Sequence, residues 1–286
     1  MQLNNSNMIT FPCAKINLGL NVVSRRQDGY HNLETVFFPI PIHDALEVVP
    51  MDEQYPTQKR CDLKVTGNFI ECDEEKNLVV KAYHLLAKDY DLPRLHIHLH
   101  KYIPSQAGLG GGSSDAAAMI SLLNDYCGLN LSKTLMERYA AQLGADCAFF
   151  IRSEAAYATG IGDCLSPIHT PQGILHDCFI TIVKPNVAVS TKEAYAAIKP
   201  QTPKKCCRDI VLQPLETWKD ELFNDFESSV FSVYPQLDDI KQKLYEAGAV
   251  YAQMSGSGSA FFGLFREEPK NIDIMFPDMF TFVGKL

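Results

Sequence analysis

The residues best suited to chemistry in this 286-residue chain form one run, Pro104-Ser-Gln-Ala-Gly-Leu-Gly-Gly-Gly-Ser-Ser-Asp-Ala-Ala-Ala118. Gly108, Gly110, Gly111 and Gly112 supply backbone that can close around phosphate oxygens, because no side chain stands in the way. Ser113 and Ser114 can cap a following helix or add hydroxyl donors. The first amides of a helix lack intrahelical partners and carry partial positive charge, so the expected chemistry is anion binding. The run is not a Walker loop, since no Lys follows the glycines. It also misses the dinucleotide fingerprint, because Ser113 stands at the third glycine position. A flexible surface linker is the alternative without chemistry.

Four further groups could act with it. From Ile16 the apolar residues Ile16, Leu18, Leu20 and Val22 alternate with Lys15, Asn17, Gly19 and Asn21, as in a half-buried strand. Lys15 and Asn17 then point the same way, about 7 Å apart. They line either a cleft or a solvated face, and two Asn and a Gly are poor choices for an exposed strand face. Asp146 lies between small residues and the run Cys147–Ile151, read as an apolar strand; a carboxylate there is a catalytic group, a helix-end cap or half of a salt bridge. Tyr30 and His31 leave the Asp28-Gly29 turn and could stack on and hydrogen-bond a ring, or be ordinary turn-exit residues. Ser255-Gly-Ser-Gly-Ser259 is a second phosphate-sized loop or a plain hairpin turn.

The elements that must position these groups are legible in outline. Leu95–Ile103 alternates as a strand into the glycine run, with His96, His98 and His100 on one face. Those histidines suit a solvated or partner-facing strand better than a metal site, because alternate His on one strand lacks a carboxylate or Cys ligand. Helices are expected at Asn77–Ala87 with Asn77 as cap, at Ser114–Tyr126 and at Ser132–Leu143. Strands are expected at Leu33–Ile40, Asp44–Val49 and Cys61–Thr66, and a strand and turn over Ala155–Asp163. His169–Gly173, with Pro171, is the candidate linker. Beyond it come a strand at Cys178–Lys184, a helix at Thr191–Ile198 and a mobile Pro- and Lys-rich stretch at Lys199–Lys205. Helical pieces follow over Val211–Val233, then an amphipathic helix Gln236–Ala247 stopped by Gly248. Strands at Val250–Met254 and Ala260–Phe265 flank the second glycine loop, and Pro269–Leu286 shows no clear element.

Composition narrows the function classes. A chain with 46% hydrophobic and 21% charged residues has enough apolar side chain for a core. Net charge of −8 argues against a general nucleic-acid or anionic-membrane binder. No run is long and apolar enough to span a membrane and the start is polar, so a cytoplasmic location is expected. Nine scattered cysteines without Cys-x-x-Cys suit reduced thiols.

Three separated motifs together resemble the GHMP kinases: Pro12-Cys-Ala-Lys-Ile-Asn17, Pro104–Ala118 and Met254-Ser-Gly-Ser-Gly-Ser-Ala260. The resemblance runs over essentially the whole chain in the family's order. It implies an α+β, two-domain GHMP kinase fold. Residues 1–168 would form a ribosomal protein S5 domain 2-like N-terminal domain, and residues 173–286 a ferredoxin-like split βαβ C-terminal domain. Within the family, Asp28-Gly-Tyr-His31 and the triple glycine are most like the members whose acceptor alcohol carries a cytidine diphosphate. That likeness implies ATP-dependent phosphorylation of the 2-hydroxyl of a methylerythritol unit, in isoprenoid biosynthesis. A GHMP kinase for homoserine or mevalonate, or a non-catalytic nucleotide-binding regulator, are the alternatives.

The resemblance also implies roles. Asp146 would accept the hydroxyl proton, and Lys15 would hold Asp146 ionised and neutralise charge at the transferring phosphoryl. Pro104, Gly108, Leu109, Gly110, Gly111, Gly112, Ser113 and Ser114 would cradle ATP, with Asn77 and Lys101 beside the nucleotide. Asn17 and Thr191 would contact the substrate, Tyr30 and Tyr195 would sandwich the cytosine, and His31 would read its edge; the family often has Phe at the Tyr195 position. Gly256, Ser257 and Gly258 form the third glycine motif. Mg²⁺ is implied with ATP, but the Glu that many GHMP kinases carry after the loop has no assigned counterpart here. No nucleic acid or membrane partner is implied, and the chain would be a monomer or homodimer.

Overall fold

The computed structural model describes residues 8–68, 72–169 and 173–286. In chain order the first elements are β1 (Met8–Thr10), β2 (Cys13–Arg25), β3 (His31–His43), β4 (Ala45–Pro50), β5 (Cys61–Gly67), α1 (Leu78–Leu86) and β6 (Leu95–Lys101). There follow α2 (Gly111–Cys127), α3 (Lys133–Ala141), α4 (Cys147–Phe150), β7 (Ala156–Gly160), β8 (Cys164–Pro167), β9 (Phe179–Lys184) and α5 (Thr191–Ala196). The chain continues with α6 (Cys207–Val211), α7 (Trp218–Glu221), α8 (Asp225–Val233), α9 (Gln236–Glu246), β10 (Tyr251–Met254), β11 (Phe261–Phe265), α10 (Ile272–Met275) and β12 (Phe280–Lys285). Pro171, in the candidate linker, lies outside the described residues.

Contacts divide the chain into two compact units that interleave along the sequence: 1–14, 42–105 and 110–153 in one, 15–41, 106–109 and 154–286 in the other. The boundary falls inside β2, β3 and the glycine run.

The first unit is built on a sheet ordered β1-β4-β6-β5, with β4 antiparallel to β1 and β6, and β5 parallel to β6. Leu95, Ile97 and Leu99 of β6 are buried. The histidines between them turn to polar partners on the parallel strand: His96 meets Asp62 at 2.9 Å, and Thr66 Oγ1 meets His98 at 2.9 Å and His100 at 3.0 Å. Asn77 caps α1, its Oδ1 accepting from Val79 N at 2.9 Å. The 17-residue α2 buries Ala116, Ala117, Met119, Ile120 and Leu123 and ends at left-handed Gly128.

The structure corrects two local readings here. α2 starts at Gly111, so its N-cap is left-handed Gly110 without a side-chain cap bond; Ser113 and Ser114 sit inside the first turn. The run after Asp146 is a helical turn, α4, rather than a strand. Four apolar residues in a row carry no period that separates the two.

The second unit holds two sheets, ordered β2-β3-β7-β8 and β10-β11-β9-β12. In the latter, the strands taken in sequence stand in the order two-three-one-four, the arrangement of a split βαβ domain. Its core joins Val183, Phe226, Val230, Leu237, Leu244, Phe261 and Phe276. The last residues, unread in the sequence, supply α10 and edge strand β12, antiparallel to β9. β8, a largely exposed four-residue edge, is also an addition. Gln201 in the Pro- and Lys-rich stretch donates its amide to Val22 O at 3.0 Å.

Candidate active site

In the second unit, β2 presents two polar side chains to the interior. Lys15 is 3% exposed and Asn17 is 2% exposed, which excludes the solvated-face reading. A buried ammonium needs oxygen partners. Lys15 Nζ donates to Asn17 Oδ1 at 2.6 Å and to Gly108 O at 2.9 Å, and lies 5.2 Å from the centre of the Phe37 ring. Lys15 N donates to Leu109 O at 2.9 Å, so the first half of the glycine run is strapped along β2.

The second glycine loop joins them. Ser255 Oγ donates to Gly108 O at 2.9 Å, and Ala260 N donates to Ala107 O at 3.1 Å. Gly108 has φ of +73°, and a Cβ there would stand 2.0 Å from Ser255 O. No other residue fits. A Cβ on Gly256 would lie 3.3 Å from Asn17 Oδ1. Lys15, Asn17, Gly108 and Gly256 are therefore one cluster.

The proposed base-binding residues lie in the same unit. His31 stacks on Tyr195 at 4.8 Å and 17°, and Tyr195 meets Phe226 edge-on at 4.8 Å. Tyr30 is 62% exposed. The observed stack is thus His31 on Tyr195. Thr191, one turn before Tyr195 on α5, meets Ser257 through their hydroxyls at 3.2 Å.

The first unit holds the remaining predicted residues. The amides of Gly111, Gly112 and Ser113 precede the first intrahelical bond, from Ser114 N to Gly110 O at 2.9 Å. They carry the positive end of a 17-residue helix. Gly111 is held close to its surroundings: a Cβ there would stand 3.0 Å from Ile103 Cγ2 and 3.3 Å from Lys101 Nζ. Pro104 continues the chain from that Ile103 into the loop.

Lys101 is buried between two carboxylates, bonded to Asp44 and, at 2.6 Å, to Asp115. Burial pulls its pKa down, but Asp115 and Asp44 outweigh that and hold it above the ordinary lysine value. Burial is the largest influence on Asp115, which is pushed up to about 7 against the pull of Lys101. Asp44 also accepts from the amides of Tyr102 at 2.6 Å and Ile103 at 2.8 Å, fixing the backbone that enters the loop. Lys101, Asp115, Gly112, Asn77 and Leu78 line a cavity of about 410 Å³. Asn77 spends its Oδ1 on the helix cap and retains its NH₂ as a donor.

Asp146 stands at the head of α4, half-buried and making no cap bond to the helix that follows. Its neighbour Cys147 is hydrogen-bonded to Ser113 in the first turn of α2, and burial pushes that thiol up to about 11. Asp146 and the helix N-terminus thus belong to one corner of this unit.

Several residues of the cluster escaped the sequence reading. Thr35 links Asn17 to Gly19. Asn224, also the cap of α8, donates through Nδ2 to Met254 O and Gly256 O, both at 2.8 Å. Glu227 accepts from Met254 N at 2.9 Å and from Lys241 at 2.6 Å; burial raises its pKa against the pull of Lys241. The polar insertion Asn-Asp-Phe-Glu in an otherwise helical stretch was the available signal.

Comparison with known proteins bears on this constellation. The family model for the GHMP kinases N-terminal domain matches residues 77–154, and that for the GHMP kinases C-terminal domain matches 208–274. A 4-diphosphocytidyl-2-C-methyl-D-erythritol kinase of Parabacteroides distasonis is 50% identical over 98% of this chain and 100% of its own. The chain belongs to the GHMP kinases. A Bacteroides thetaiotaomicron kinase of the same description is 52% identical to this GHMP kinase over 91% of the chain and 93% of its own. A crystal structure of 4-(cytidine 5'-diphospho)-2C-methyl-D-erythritol kinase superposes with a TM-score of 0.79 at 30% identity, covering 97% of this GHMP kinase and 98% of that chain. Methanococcus jannaschii mevalonate kinase, at 14% identity and TM-score 0.69 over 99% of both chains, shares the fold. ATP is the co-substrate of these kinases, and this one has the two-domain GHMP fold. Among its described residues no helix is long and apolar enough to cross a membrane.

Proposed function

We propose that this kinase transfers the γ-phosphoryl group of ATP to the 2-hydroxyl of 4-diphosphocytidyl-2-C-methyl-D-erythritol, in the cytoplasm, as a step of isoprenoid synthesis. The observation that carries the reading is the 50% identity, over 98% of the chain, to a kinase so described. On this reading the N- and C-terminal domains are residues 1–168 and 173–286.

Phosphoryl transfer asks for positioning and charge neutralisation more than covalent chemistry. The amides at the head of α2 are suited to the phosphates, and the cavity beside Asn77 and Lys101 to the rest of the nucleotide. Asp146 is assigned as the base that takes the hydroxyl proton, a contribution of about a hundred- to ten-thousandfold. Lys15 is assigned to the charge that builds on the transferring group. Asn17 and Thr191 would contact the substrate. Tyr30 and the His31–Tyr195 stack would hold the cytosine, each base–aromatic contact contributing about 1–3 kcal/mol.

Mg²⁺ fits the same reading. Among the described residues no three His, Cys, Asp or Glu gather as a metal cluster, and Mg²⁺ bound with a nucleotide takes phosphate oxygens and water for most of its ligands. Ser113 and Ser114 are the hard oxygen donors that would complete its shell. Bound there, the ion neutralises β- and γ-phosphate charge.

The test is ADP release with ATP, Mg²⁺ and each of three alcohols. The diphosphocytidyl alcohol is expected to turn over at least a hundredfold faster, by kcat/KM, than homoserine or mevalonate. A faster reaction with either of those would replace the assignment.

A further inference from the structure

We infer that Thr35 is a positioning residue for Lys15, acting through Asn17. The inference rests on the role given to Lys15 above and adds a residue outside the glycine motifs. Thr35 lies on β3 and is 1% exposed. Its Oγ1 donates to Gly19 O and accepts from Asn17 Nδ2 at 3.0 Å. Asn17 Oδ1 in turn accepts from Lys15 Nζ at 2.6 Å.

The direction of this chain is fixed from its far end. A carbonyl oxygen only accepts, so the single hydroxyl proton of Thr35 is committed to Gly19. The hydroxyl can then only accept from its other neighbour, and Asn17 must turn its NH₂ towards it. That leaves Oδ1, and no donor, facing the ammonium. With the Asn17 amide reversed, NH₂ would meet NH₃⁺.

The anchor is itself rigid. Gly19 has φ of +67°, and a Cβ there would stand 2.5 Å from Leu222 Cδ1 and 2.7 Å from Cys207 Sγ. Its amide donates to Gln253 Oε1 at 3.0 Å. Valine matches threonine in shape but lacks the hydroxyl. Thr35→Val would therefore free the Asn17 amide to reverse and misplace the ammonium.

The experiment compares wild type, Thr35→Val and Thr35→Ser in steady state with ATP, Mg²⁺ and the diphosphocytidyl alcohol. Thr35→Val should lose tenfold or more in kcat with both KM values within threefold, and Thr35→Ser should return to within threefold of wild type. A smaller loss in kcat, a rise in KM in its place, or a Thr35→Ser enzyme as slow as Thr35→Val would overturn the inference. Lys15→Met is assayed alongside; if it stays active, the role of Lys15 falls and the inference with it. Hydrogen exchange of the Asn17 side-chain NH₂, read by NMR, does not depend on turnover. It should be at least tenfold faster in Thr35→Val, or in Thr35→Ala if the valine variant does not fold, and an unchanged rate would overturn the chain. Absence of ADP release by wild type with unchanged NMR behaviour would instead count against the proposed substrate alone.

Discussion

The two glycine loops look alike in sequence and differ in what their glycines do. In the loop at 108–112 the glycines lead into a helix of 17 residues, whose first amides precede any intrahelical bond. In the loop at 255–259 the backbone groups are already committed. Ser255 N donates to Ala260 O at 2.8 Å, Gly258 N donates to Ser255 O at 3.0 Å, and Asn224 occupies the carbonyls of Met254 and Gly256. Ser255 and Ser259 are fully buried. The first loop is built to receive an anion, and the second to be packed against. Glycine content alone does not distinguish a phosphate cradle from a buttress; the fate of the amides does.

The contact between the loops is where the comparison breaks most easily. Gly108→Ala places a methyl group 2.0 Å from Ser255 O at a φ that alanine resists. It should cost the largest effect, a fall of more than a hundredfold in kcat/KM, with a lower unfolding midpoint. Near-normal kinetics would mean that the loops need not touch. A smaller effect is expected when only the second loop is loosened. Asn224→Asp is nearly isosteric but removes the donor to both carbonyls, which costs about 1–3 kcal/mol for a buried acceptor left unsatisfied. Denaturant unfolding should show that loss, and the KM for ATP should rise severalfold. Full stability in this variant would show that Asn224 does not brace the loop.

The sequence showed best what depends on local pattern. Alternation placed Lys15 and Asn17 on one side of a strand, and the strand, glycine and helix order marked the anion loop. Partners distant along the chain were invisible. Thr35 is one β-branched residue in a strand, and Asn224 lies 30 residues before the carbonyl it holds at Met254. Nothing near either residue signals its bond. The cap of α2 was misplaced because a left-handed glycine replaced the usual side-chain cap, so the serines that looked like caps are first-turn residues. The final strand was missed because β12 is half-buried almost throughout, and a strand without contrast between its faces lacks the alternation that reveals one. Lys101 was placed beside the nucleotide from resemblance, but its buried carboxylate partners, Asp44 and Asp115, come from elements far apart in sequence.

The most direct test of the assigned chemistry is Asp146→Asn, assayed for phosphorylation of the diphosphocytidyl alcohol and, separately, for ATP affinity. The asparagine keeps the shape and cannot take the hydroxyl proton. A kcat lower by about a thousandfold with ATP affinity within threefold is the expected result, in the range that a general base supplies. A variant that keeps its kcat, or that loses ATP binding as steeply as turnover, would contradict it.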